Sequence, residues 1–150
     1  MGIKQRGLDD LTNRFSPERF TRVMEEVMDE TTQEGVESMV DTINTNGTDR
    51  QWSHEWFGRT GTGRERVNTG AMRDGVQQGD MTSKTGQVRS SFGWVHGTPM
   101  YAVFQEYGFL NHLTNTVVEG MNSIEEGAED AADFAVDALQ RAANDFLKGK

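Results

Sequence analysis

Two stretches of this chain, one near each end, bring an apolar side chain round every three or four residues. In the first, Phe20, Val23, Met24, Val27, Met28, Val36, Met39, Val40 and Ile43 form one stripe; in the second, Ile124, Ala128, Ala131, Phe134, Ala135, Ala138, Leu139, Ala142, Phe146 and Leu147 do the same. That spacing belongs to amphipathic helices with one face to bury, so the fold must find cover for two helical stripes. The flanking residues agree. Ser16-Pro17-Glu18 supplies a hydroxyl cap, a proline at the first helical position and a carboxylate at the positive helix end. Asn46-Gly47 closes a helix that reaches about Asn44. Ser123 with Glu126 three residues on reads as a capping box, and Lys148 and Lys150 suit the negative end of the second helix. The second helix is rich in alanine, which lets another backbone approach, and it is expected to pack on the first or on a copy of itself. Gly35, costing about 1 kcal/mol against Ala inside a helix, marks a close contact or a bend.

The stripes are thinly filled. Leu, Ile, Val and Phe together make 29 of 150 residues, which with a formal net charge of −9 lies near the composition of chains that do not fold. Eight Met, nine Ala and three Trp carry the remaining burial, Met being suited to filling irregular gaps. Length favours a single domain over 1–150, and its core is expected to be completed by neighbouring subunits. Charge runs in thirds: net −5 over 1–50, +2 over 51–100 and −6 over 101–150. An acidic chain is a poor general binder of nucleic acid, whose phosphates are met by Lys and Arg. The central Arg59, Arg64, Arg66 and Arg73 are either a contact for an acidic partner surface or a solvated loop.

Other classes fall away. No apolar run approaches the roughly 20 residues of a membrane span, and MGIKQRGLDD has no signal-peptide h-region, so a cytosolic product without membrane contact is expected. The absence of Cys excludes disulfide scaffolds, thiol catalysis and thiolate zinc sites; His54, His96 and His112 are too scattered for a ligand pair.

Between the helices, periodicity fails from Thr48 to Arg66, and a long flexible loop over 46–66 is expected. Gly58-Arg59-Thr60-Gly61-Thr62-Gly63-Arg64-Glu65 has the glycines of a phosphate-cradling loop, but Arg64 stands at the lysine, Glu65 at the Mg²⁺-binding hydroxyl, and no strand is predicted before it. Trp52, Trp56 and Phe57 either pack beneath the loop or anchor a partner. Asn68 or Thr69 caps a short helical turn that Gly75 ends. From Gly86 to Val95 residues alternate, with Val88, Ser90, Phe92 and Trp94 on one side, predicting a hairpin with Val76 to Thr82 through the turn Ser83-Lys84-Thr85-Gly86. Gly97-Thr98-Pro99 breaks it. Met100 to Gly108 reads as a short helix with Tyr101, Phe104 and Tyr107 three apart and Gly108 as its stop. No element is assigned to Phe109–Met121. The fold class is α+β: an arm over 1–15, a helix over 16–45, a loop over 46–66, a region with a small antiparallel sheet and short middle helix over 67–108, and an amphipathic helix over 123–147.

The chemistry-bearing residues do not converge. Ser90 and Ser91 lack a nucleophile elbow, and His96, the candidate base, has no partner nearby in sequence. Glu125, Glu126, Glu129, Asp130 and Asp133 resemble a cation site by number only, lacking the glycine-turned loop of calcium sites. No catalytic residue, metal or cofactor is implied.

Two short elements do point somewhere. Val67-Asn68-Thr69-Gly70-Ala71-Met72-Arg73, followed by strands and then by Tyr101-Ala102-Val103-Phe104-Gln105-Glu106-Tyr107-Gly108 and a C-terminal helix, resembles the gene-ten-like head-tail joining and tail-completion family of long-tailed phages. The family shows Val-x-Thr-Gly-x-Leu/Met-Arg and then Tyr-Ala-x-Tyr/Phe-x-Glu-Phe/Tyr-Gly. Here Phe109 follows Gly108 where the family has Thr, and the proline-rich stretch before the last helix is missing. The resemblance implies a non-enzymatic virion protein of the neck, assembled in the host cytoplasm as a homo-oligomeric, hexameric ring. Its partners would be neighbouring neck and tail proteins, with DNA passing through its channel without specific binding. It implies that Thr69 and Gly70 turn the chain at the helix start, that Tyr101, Phe104, Glu106 and Tyr107 fix the second motif against the sheet, and that Glu106 pairs with Arg73. It also implies that Arg59, Arg64 and Arg66 meet acidic groups of the neighbouring ring. A small antitoxin-like regulator, or a hydrolase using His96 with Ser90 or Ser91, are the other readings.

Overall fold

A computed structural model describes residues 16–46, 52–54, 59–61, 71–84, 86–98, 101–113 and 115–148. Helix α1 spans Pro17–Asn46, and its start is as the sequence predicts: the Ser16 Oγ accepts from the Arg19 backbone N–H at 3.2 Å, satisfying a donor that has no partner within the helix. Buried positions then advance by fours through Val27, Thr31, Gly35, Met39 and Ile43. Each step of four residues turns 40° past a full circle, so the buried line winds round α1 and the helix is covered by two different elements.

The first is the C-terminal helix, whose contact with α1 is the most extensive among the described elements. The second is the hairpin region. After a four-residue helix α2, Ala71–Asp74, strands β3 (Gln77–Gln78), β4 (Thr82–Lys84), β5 (Gln87–Arg89) and β6 (Phe92–Gly93) pair antiparallel, β4 with β5 and β3 with β6. Lys84 faces Gln87, so Ser83 and Lys84 belong to the ladder and the turn is tighter than the Ser83–Gly86 expected; Gly86 takes φ 79°, which glycine adopts without penalty. Between the two ladders Gly79 to Met81 face only Ser90 and Ser91. The extra residue is a β-bulge, where the Gly79 N–H donates to the Ser91 carbonyl at 2.7 Å. The hairpin docks on α1 through Gln78, whose amide donates to the Asp29 carbonyl and the Thr32 hydroxyl, both at 2.9 Å.

The core lies where α1, α2 and the later segments converge: Met39, Ile43, Met72, Val76, Ala102 and Met121, with Val36, Val40, Phe92 and Trp94 packed against it. Three of those six buried residues are Met, as the shortage of large aliphatics requires. The Trp94 indole N–H donates to the Met72 carbonyl at 2.7 Å, fixing the strand end over α2. Phe20, read as part of the α1 stripe, is instead about half exposed, its ring edge-on to Phe146 at 6.5 Å.

The remaining elements complete a mixed α+β fold. Helix α3 spans Ala102–Tyr107 and ends at Gly108, φ 78°. Phe109–Met121, unassigned from sequence, forms strands β7 (Phe109–Asn111) and β8 (Thr116–Val118), paired antiparallel. Helix α4 spans Ser123–Lys148. Within the expected 46–66 loop, Trp52–His54 and Arg59–Gly61 also pair antiparallel, as β1 and β2. A strand therefore does precede Gly58, but its ladder partner lies inside the glycine-rich run itself.

Candidate interaction surface

Helix α3 is six residues long, far below the length at which a helix stands alone, so something outside it must hold it. Glu106 does this. Its carboxyl is 2% exposed; one oxygen accepts from the Ser123 hydroxyl and the other from the Ile124 backbone N–H, both at 2.6 Å. The carboxylate thus sits on the N-terminus of α4, where orphan N–H groups and the helix dipole favour negative charge. Around it the Met121 N–H donates to the Gln105 carbonyl at 2.9 Å and the Asn122 N–H to the Glu106 carbonyl at 3.2 Å.

This corrects two expectations. The Ser123–Glu126 capping box is not the cap: Ser123 is buried and turned to Glu106, while Glu126 lies exposed. Nor does Glu106 pair with Arg73, whose guanidinium is held by the adjacent Asp74 at 2.8 Å on the surface. Glu106 is buried against the start of α4, whereas Arg73 stays at the surface with its neighbour Asp74.

With Glu106 and Ala102 turned inward, the opposite side of α3 turns out. Tyr101, Val103, Phe104 and Tyr107 are exposed, Tyr107 at 75%, so Phe104 and Tyr107 are not buried against the hairpin as the resemblance implies; Phe104 lies edge-on to Phe109, ring centroids 6.3 Å apart. In the adjoining ladder Leu110 faces Val117, and both are exposed, as is Leu113 in the turn at 77%. Six large apolar side chains, Val103, Phe104, Tyr107, Leu110, Leu113 and Val117, therefore stand in solvent within 15 residues of chain. Alternation would have shown Leu110 and Val117 only once their strands were known.

Thr69, Gly70, Arg64 and Arg66 lie outside the described residues, and Arg59 is described only as backbone in β2. Gly108 sits at the α3–β7 corner. Ser90 and Ser91 belong to the bulge, and His96 is exposed in the turn after β6. Glu34, Glu37 and Asp41 of α1 line a groove with Glu126 and Asp130 of α4, bridged where the Ser38 hydroxyl donates to Asp130 at 2.5 Å. Among the described residues no group of His, Asp or Glu is arranged to hold a metal ion, and no helix is long and apolar enough to cross a membrane. Comparison with protein-family models, curated proteins and solved structures found no match to this chain.

Proposed function

We propose that this chain is a structural ring subunit of a phage neck, joining or completing the tail where it meets the capsid vertex. The observation that carries the reading is the apolar face of α3 and the β7–β8 ladder. A chain with nine buried apolar residues among those described leaves six large ones outside on one short segment, and patches of that kind mark protein interfaces. The two short motifs support the same reading, since Met72 of the first and Ala102 of the second meet in one core. A ring grows by head-to-tail contacts between two different patches. The acidic outer faces of α1 and α4 keep free subunits apart and, wherever they line a channel, repel DNA phosphates so that a genome slides without sticking.

Negative-stain imaging and light scattering of the purified chain test this. Hexameric rings are expected; a monomer at every concentration overturns the reading, and discrete dimers without rings favour a small regulator. Phe104→Glu with Tyr107→Glu is expected to abolish rings while leaving the helical circular dichroism unchanged.

A further inference from the structure

Helix α4 carries more apolar surface than α1 covers. Its buried line runs through Gly127, Ala131 and Ala138. Beside that line Ala128, Ala132, Val136, Leu139, Ala143 and Leu147 are exposed, Val136 at 55% and Leu147 at 69%. At 100° per residue these positions fall within an arc of about 100°, the width that one further helix covers.

Their order says which helix. The intervals along the stripe are four, four, three, four and four residues, the same read from either end. A two-fold axis between Val136 and Leu139 therefore lays the stripe on itself, with Val136 against Leu139, Ala132 against Ala143 and Ala128 against Leu147. Contacts between identical surfaces need this self-complementarity. A parallel pair would instead oppose Leu147 to Leu147 and leave a gap between two copies of Ala128. Charge points the same way. From Ser123 to Asp137 the helix holds six carboxylates and no cation, whereas its remainder holds Arg141 and Lys148 against the single carboxylate Asp145. Antiparallel packing sets the acidic half of each helix beside the nearly balanced half of the other and opposes the two dipoles; parallel packing sets acid on acid.

We propose that the outer face of α4 is the docking surface for a second copy of this chain, the two α4 helices lying antiparallel through Val136, Leu139 and Leu147. The contact is isologous, so it joins subunits in pairs and is independent of the head-to-tail contacts of a ring.

The chain contains no cysteine, which makes the test direct. Full-length Ala128→Cys and Leu147→Cys are mixed under mild oxidation and the disulfide-linked species identified by mass. The mixed disulfide is expected to dominate; homodimers of either variant in excess, or no cross-link, overturn the proposal. Leu139→Glu is expected to weaken pairing at least tenfold by sedimentation without loss of helical circular dichroism, and unchanged association also overturns it. Rings seen by negative stain with no mixed disulfide would sink this proposal and leave the ring reading standing; a mixed disulfide without rings would do the reverse.

Discussion

Glu106 has two oxygens and both are occupied by donors at the start of α4. Glu106→Ala strands a buried hydroxyl and a backbone N–H together, each costing about 1–3 kcal/mol when left unpaired, so a loss of roughly 3 kcal/mol is expected in urea unfolding. Glu106→Gln keeps an acceptor for one of them and is expected to lose about half as much. Arg73→Ala removes only an exposed pair with its neighbour, and a change within ~0.5 kcal/mol is expected; equal costs for Glu106→Ala and Arg73→Ala would contradict the geometry. Thr31 is 8% exposed and its hydroxyl has no hydrogen-bond partner among the described residues. Thr31→Val is therefore expected to raise stability by about 1 kcal/mol. The role of Glu106 was not legible in the sequence because its partners lie 17 and 18 residues away, whereas Ser123-x-x-Glu126 offered a local pairing of the right spacing. The non-local acceptor takes the Ile124 N–H and the Ser123 hydroxyl itself, while the Glu126 N–H goes to the Asn122 carbonyl, so the local box has no role left.

At the scale of elements, two glycines set how closely the long helices and the hairpin meet. A methyl added at Gly35 would lie 2.5 Å from the Phe92 ring, and one at Gly127 would lie 2.5 Å from the Met39 Cγ and 3.0 Å from the Gly35 carbonyl oxygen. Gly35→Ala gains about 1 kcal/mol of helix propensity but forces the ring and α1 apart. Since overpacking costs about 1–3 kcal/mol, a net loss near 1 kcal/mol is expected, with Gly127→Ala at least as damaging because a backbone oxygen cannot swing aside. Thermal unfolding of each variant measures this. The helices were readable because cap, period and stop coincide: Ser16 and Pro17 open α1, and its apolar spacing runs to Met28 and resumes in phase at Val36, with Thr31 and Gly35 buried between. Strands β7 and β8 were not, because three-residue strands give alternation no length in which to show, and Asn115, whose φ of 52° helps turn the chain between them, is one of two Asn in that stretch. The spacing of Tyr101, Phe104 and Tyr107 predicts a helix, and a helix forms, but spacing alone does not say which face turns inward; the inward face bears Ala102 and Glu106.

For the whole molecule, charge and shape pull in opposite directions. A net charge of −9 makes identical subunits repel, while their exposed apolar faces favour association. Screening weakens the first and not the second, so self-association is expected to strengthen as salt rises from ~20 to ~300 mM, measured by sedimentation velocity. Weakening with salt would mean that opposite charges dominate the contact. One further consequence follows from how the chain is held around β7 and β8. It leaves the body at Gln105–Glu106 and returns at Met121–Ser123, and the hydrogen bonds between these two points clasp the excursion at its base. Whatever happens at the tip near Leu113 is insulated from the fold by that clasp. Lengthening the tip costs only the slow logarithmic entropy of a longer loop, about 0.6 kcal/mol per doubling, so this arm can change its reach or take a grafted sequence while the scaffold that carries it stays the same.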